Sequence, residues 1–435
     1  MKRYWLLLVL VLVGAMVWAG GSTETAKPAA THISFMHFFK QDDPNADANN
    51  KSFYVMFPKF KAAHPDVVFD VEDLTHDTYD TKIKTIAAAN QMPDLFLVKG
   101  SWVDTFVGNG LMKPINDVLD ANATWRDGFY PGALSEFVRN GTDIYGVTFQ
   151  LFTTSLVFYN DAILKKAGIE SFPKTSAEFE TAVGKLNAIV VTPVALGNKA
   201  KWVAESCILS TLGDRYTGTE WFNSIRDRKG ASFSDPLFVK SLAALKRLAE
   251  IKTFNPDMNS IDNNQQRTLY MNGSAAMFME GAWAVSSLVD TAPKDILAQT
   301  KLAVLPSVVG GKGDPASFSG GSGWAYTISS QTDAAKRRII GTLLPMLTGS
   351  DIAKITIENN GQPASKPVSY DKSKLAPLAN AYFDLVAQNK FTPIYDIQLE
   401  APVIEVMNSG LQELLAGSVS PQDLAARIQT EYMKQ

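Results

Sequence analysis

The chain has 435 residues, 20% of them charged and 46% apolar, with a formal net charge of −3. This is ordinary globular composition, long enough for two domains with sizeable cores, and it excludes a disordered or fibrous chain. Without a basic block it lacks the electrostatic footprint of a nucleic-acid binder, and a single cysteine, Cys207, excludes a disulfide framework and a multi-cysteine metal site.

Met1-Lys2-Arg3 precedes an apolar stretch from Tyr4 to Val13, and Gly14-Ala15-Met16-Val17-Trp18-Ala19 follows, with Val17 and Ala19 at the −3 and −1 sites. A basic start, a short apolar core and a small-residue end describe a secretory signal peptide over 1–19, cleaved before Gly20. The run is shorter than the ~20 residues of a membrane-spanning helix. The chain is therefore expected to be exported and periplasmic. No lipidation is expected, because no cysteine stands at the cleavage site. Residues 20–30, rich in Gly, Ser, Thr and Ala, read as a flexible leader.

Ile33 to His37 reads as a first strand. Phe53, Met56, Phe57 and Phe60 have helical spacing within Ser52 to Ala63, and His64-Pro65 ends that helix. Val67 to Glu72 makes a second strand, Thr78 to Asn90 a second helix, and Leu95 to Val98 an apolar run of buried-strand length. This β-α-β-α-β order predicts a parallel, doubly wound α/β sheet, which binds ligands beyond the carboxyl ends of its strands. His37-Phe38-Phe39-Lys40 and Lys99-Gly100-Ser101-Trp102 occupy those places.

Ile144 to Val147 and Leu156 to Asn160 read as further strands around Gln150-Leu151-Phe152-Thr153-Thr154. A second α/β region follows. Thr175 with Glu178 forms a capping box that opens a helix, and Ser420 with Pro421 and Asp423 opens the last one.

In this order and spacing the chain resembles the extracellular solute-binding proteins, the family that includes maltose-binding protein. The resemblance is carried by Phe57-Pro58-Lys59-Phe60-Lys61-Ala62-Ala63-His64-Pro65, Met92-Pro93-Asp94-Leu95-Phe96, Phe158-Tyr159-Asn160 and Pro173 to Phe179. Later it continues in Asn272 to Met277, Gly281-Ala282-Trp283, Leu305-Pro306, Gly320-Gly321-Ser322-Gly323 and Gly361-Gln362-Pro363. The family's frequent Trp before the strand-one His is Met36 here, and the segment after His37 is long and polar.

The resemblance implies two doubly wound α/β lobes joined by a hinge, with the ligand trapped between them. Lobe 1 is expected over 31–152 plus 307–350, and lobe 2 over 155–304 plus 366–435. The chain would cross near Thr153-Thr154 and Pro306 and return between about Ser350 and Lys366. The implied function is that of an ABC importer's substrate-binding component, a monomer that passes a small ligand to the permease subunits in the membrane.

A mono- or oligosaccharide site needs aromatic plates for C–H faces, with carboxylate, amide and hydroxyl partners for the hydroxyls. Trp283 occupies the family's Gly-x-Trp position and is the leading candidate, with Gly281 and Glu280 beside it. Trp202, Trp102 and Trp324 stand next to small residues or in loops. His37 and Phe39 follow the first strand, Asp43 lies in the polar loop after it, and Gln150 and Phe152 lie at the first crossing. Ser322 and its neighbouring glycines would let backbone N–H groups approach a ligand.

No metal or cofactor is expected. The Asp43-to-Asn49 segment looks like a calcium loop but has Ala48 at its sixth position and Tyr54 at its twelfth. The motifs of zinc proteases and serine hydrolases are absent, and all four histidines lie in the first 76 residues, so the chain does not read as an enzyme. The same fold could hold a polyamine, iron or an anion, or signal to a sensor; the least favoured alternative is a secreted carbohydrate-active enzyme, whose paired acids need only be close in space.

Overall fold

A computed structural model describes residues 30–434. The expected signal peptide, and the leader up to residue 29, lie outside the described residues.

In the first lobe, strands Thr31–His37, Val67–Asp73 and Leu95–Lys99 pair in parallel, with the first strand in the middle. The crossover helices Ala48–Ala63 and His76–Ala88 both begin earlier than their apolar spacing indicates. Their caps explain this: Asp47 accepts from the Asn50 N–H at 2.8 Å, and Thr75 from the Thr78 N–H at 3.4 Å. The sheet is completed by Trp324–Ile328 and Val147–Thr148, each antiparallel to its neighbour. Phe35, Phe53, Phe57, Phe96 and Tyr326 fill the core beneath it, with Phe53 and Phe57 stacked at 5.0 Å.

The second lobe is a mixed four-stranded sheet in the order Thr300–Ala303, Leu156–Asn160, Ala275–Glu280, Thr192–Ala195. Helix Ser176–Ala188 opens on the Thr175–Glu178 capping box. Helix Pro421–Tyr432 opens on Ser420, whose Oγ accepts from the Asp423 N–H at 3.0 Å. Val157, Met277, Leu411 and Ile428 lie in the core on one face. Phe158 and Phe278 stack at 4.5 Å in a second core on the other.

A small sheet joins the lobes: Phe152–Thr153 pairs with Phe318–Gly321, which pairs with Phe391–Thr392. The crossing expected near Pro306 runs instead along Phe318–Gly321. Buried Arg215 explains the delay by tying the intervening segment to the second lobe. It donates to the carbonyl oxygens of Leu305 at 3.1 Å and Asp314 at 2.7 Å, and to Ser317 Oγ at 2.7 Å. The first core also extends past residue 350 to take in Ile352 and Ala364.

Candidate ligand cleft between the lobes

A cavity of 420 Å³ lies between the lobes, beyond the carboxyl ends of the first and third strands. The first lobe contributes Phe39, Asp43, His76, Asp77, Lys99 and Trp324. The second contributes Trp202, Asn263, Arg267, Trp283 and Asp396, and the first crossing adds Gln150 and Phe152.

Local backbone geometry presents the two second-lobe tryptophans. Lys201 adopts a left-handed conformation (φ 72°), and Trp202 follows at the head of a short helix that runs into a π-helical turn, Glu205–Leu209. Such turns recur at functional sites. Trp283 opens helix Trp283–Thr291 and donates from Nε1 to Glu280 Oε1 at 2.7 Å. Ring centroids then run in a belt: Phe152 to Trp283 at 5.5 Å, Trp283 to Trp202 at 5.9 Å, Trp202 to His76 at 5.7 Å, and His76 to Trp324 at 5.5 Å. The belt therefore passes from one lobe to the other.

The polar groups form a second set. Lys99 Nζ lies 3.3 Å from Asp396 and 3.6 Å from Asp80, above the Trp324 ring. Burial alone would lower the Lys99 pKa, but these two carboxylates raise it above its ordinary value. Gln150 Oε1 accepts from Asn49 Nδ2 at 2.5 Å. At the mouth, the Ala48 N–H donates to Ser286 Oγ at 3.0 Å, and Lys51 pairs with Asp290, so the lobe rims touch.

Of the twelve residues singled out from sequence, Phe39, Asp43, Gln150, Phe152, Trp202, Trp283 and Trp324 line the cavity. Five sit behind its wall. His37 is fully buried, 4.6 Å from both Phe35 and Phe53, and burial pushes its pKa down to about 3, so it is a neutral core residue. Trp102 is 4% exposed and packs behind Trp324 at 5.2 Å. Glu280 is fully buried beneath Trp283. Gly281 makes room for that indole, since a Cβ there would collide with the ring. Ser322 and Gly323 point their N–H groups at Glu136, at 3.1 and 2.7 Å, rather than at the cleft.

Lys99, in the segment expected beyond the third strand, lines the cleft, and His76, Asp77, Asn263, Arg267 and Asp396 line it without having been singled out. The strand-end rule, applied to the second strand as it was to the other two, would have reached His76 and Asp77. No local signal marks Asn263, Arg267 or Asp396.

Residues 44–342 match the model of the bacterial extracellular solute-binding proteins. The chain belongs to that family. Its extracellular character agrees with an exported chain. An uncharacterised ABC transporter extracellular-binding protein of Pyrococcus horikoshii is 24% identical over 64% of this chain and 64% of its own. An arabinooligosaccharide-binding protein of Bacillus subtilis is 24% identical over 69% of this chain and 66% of its own. The chain thus matches just under two thirds of the length of these two relatives. In the family's fold, a chitin oligosaccharide binding protein superposes with a TM-score of 0.83 at 24% identity, covering 93% of this chain and 98% of that one.

Proposed function

We propose that the protein captures a short saccharide in the interlobe cleft and delivers it to the permease of an ABC importer. The aromatic belt carries this reading. Trp202 and Trp283 from one lobe and Trp324 from the other offer apolar plates to the C–H faces of a sugar ring. Gln150, Asn263 and Asp396 stand among them as partners for its hydroxyls. Relatives named for sugar oligomers support the same class.

Ligand first meets one lobe. Closure adds the other lobe's contacts and shifts an open–closed equilibrium toward the shape the permease recognises. Thermal melting of the exported chain against mono- and oligosaccharides tests this, with polyamines, amino acids and metals as comparators. A ligand at about a hundred times its Kd stabilises the native state by roughly 2.7 kcal/mol. A shift with polyamines or metals and none with sugars overturns the ligand class.

A further inference from the structure

Glu280 ends the strand Ala275–Glu280 and is fully buried. Four side chains converge on its carboxylate. Oε1 accepts from Trp283 Nε1 and from Asn263 Nδ2, both at 2.7 Å. Oε2 accepts from Gln266 Nε2 at 3.4 Å and lies 3.6 Å from Arg267 Nε. Three of these neighbours, Trp283, Asn263 and Arg267, line the cleft, while Glu280 itself does not.

The two oxygens do different work. Oε1 anchors the indole N–H, and together with the gap left at Gly281 it sets the plane that Trp283 presents. Oε2 faces a guanidinium whose Nε has no hydrogen-bond partner and whose Nη2 turns to Asn264. Arg267 is 4% exposed, in a wall where an uncompensated guanidinium would be a strong bidentate anchor for a carboxylate ligand. Glu280 is its ion-pair partner.

We propose that Glu280 sets the specificity of the cleft as a positioning residue. It aligns Trp283 for an uncharged ring and cancels the charge of Arg267, so the cleft takes neutral saccharides and rejects uronates. This rests on the saccharide reading above and adds the charge class of the ligand.

Two substitutions separate the two roles. Glu280→Gln keeps an acceptor for Trp283 and Asn263 and removes the charge. Glu280→Ala removes both. The probes for calorimetric titration are matched pairs: cellobiose with cellobiouronate, and xylobiose with the aldobiouronate of glucuronic acid and xylose. Wild type should bind a neutral member at least about tenfold more tightly than its uronate. Glu280→Gln should gain roughly tenfold or more for the uronate relative to the neutral sugar, the scale of a hydrogen bond to a charged group. Glu280→Ala should lose roughly tenfold for the neutral sugar, with altered tryptophan emission as Trp283 is released.

Equal binding of uronate and neutral sugar by wild type overturns the inference, and that comparison needs no variant to fold. So does a Glu280→Gln protein that binds the neutral sugar and gains nothing for the uronate. Wild type that binds neither these pairs nor any other saccharide overturns the saccharide reading and this inference together. Neutral binding without the gain overturns this inference alone.

Discussion

Lys99 Nζ lies 3.3 Å from Asp396 Oδ2, an ion pair between the lobes at the base of the cleft. Both side chains are nearly buried, and Asp80 lies 3.6 Å from the same nitrogen. Asp396 Oδ1 and Glu205 Oε2 are buried nearby without partners. Lys99 therefore joins Asp396 to Asp80, which Lys84 also pairs at 2.7 Å. Lys99→Met leaves them facing one another, and removing one member of a buried pair costs about 3–5 kcal/mol. Differential scanning calorimetry should record a correspondingly large fall in Tm. A loss below about 1 kcal/mol would show the pair to be solvated like a surface salt bridge.

Glu136 should make folding stability depend on pH. Its carboxylate accepts from the Ser322 and Gly323 N–H groups, which favour its charged form, yet burial outweighs them and raises its pKa from 4.5 to about 7. A carboxyl with a raised pKa binds more protons in the folded than in the unfolded state. Its contribution to stability is therefore full below about pH 4.5 and is lost as pH rises to 7. Glu136→Gln keeps the acceptor and cannot titrate. The stability of wild type relative to this variant should fall by about 2 kcal/mol across that range and stay level above it, a figure reduced because Glu136 keeps some exposure to water. Urea denaturation at a series of pH values measures it, and a level difference throughout would refute it.

Gly323 has φ +68°, and a Cβ there would collide with the ring of Phe152. Gly323→Ala therefore meets a left-handed backbone penalty of about 1–2 kcal/mol and must also displace a cleft residue. The expected result is a lower Tm together with weaker saccharide binding. Unchanged binding despite the lower Tm would mean that Phe152 moves without cost to the site.

Trp283 and Trp102 should behave oppositely. Trp283 is half-buried at the cleft, so Trp283→Ala should reduce saccharide affinity by about 2 kcal/mol, roughly thirtyfold, with a modest loss of stability. Trp102 is 4% exposed in the first core, so Trp102→Ala should cost about 3–5 kcal/mol of stability. Titration calorimetry and thermal melting on the same two proteins decide the matter. A larger affinity loss for Trp102→Ala would reverse the assignment.

The sequence by itself determined what depends on neighbours along the chain. Spaced phenylalanines gave the helix that ends at Ala63, apolar runs at 33–37 and 95–98 gave two strands that the structure extends to 31–37 and 95–99, and the caps at Thr175 and Ser420 gave two helix starts. These rest on backbone hydrogen bonds and side-chain period within a few residues. The tertiary structure alone decided which way each chemical group faces. His37 ends a strand where a ligand contact is expected, yet Phe35 and Phe53 close over its ring. Trp102 and Trp324 both follow small residues, and only packing puts one behind the other. Asp396 comes to Lys99 from 297 positions along the chain. No local pattern encodes such a pairing, because its energy arises only when two separately folded lobes remove both charges from water.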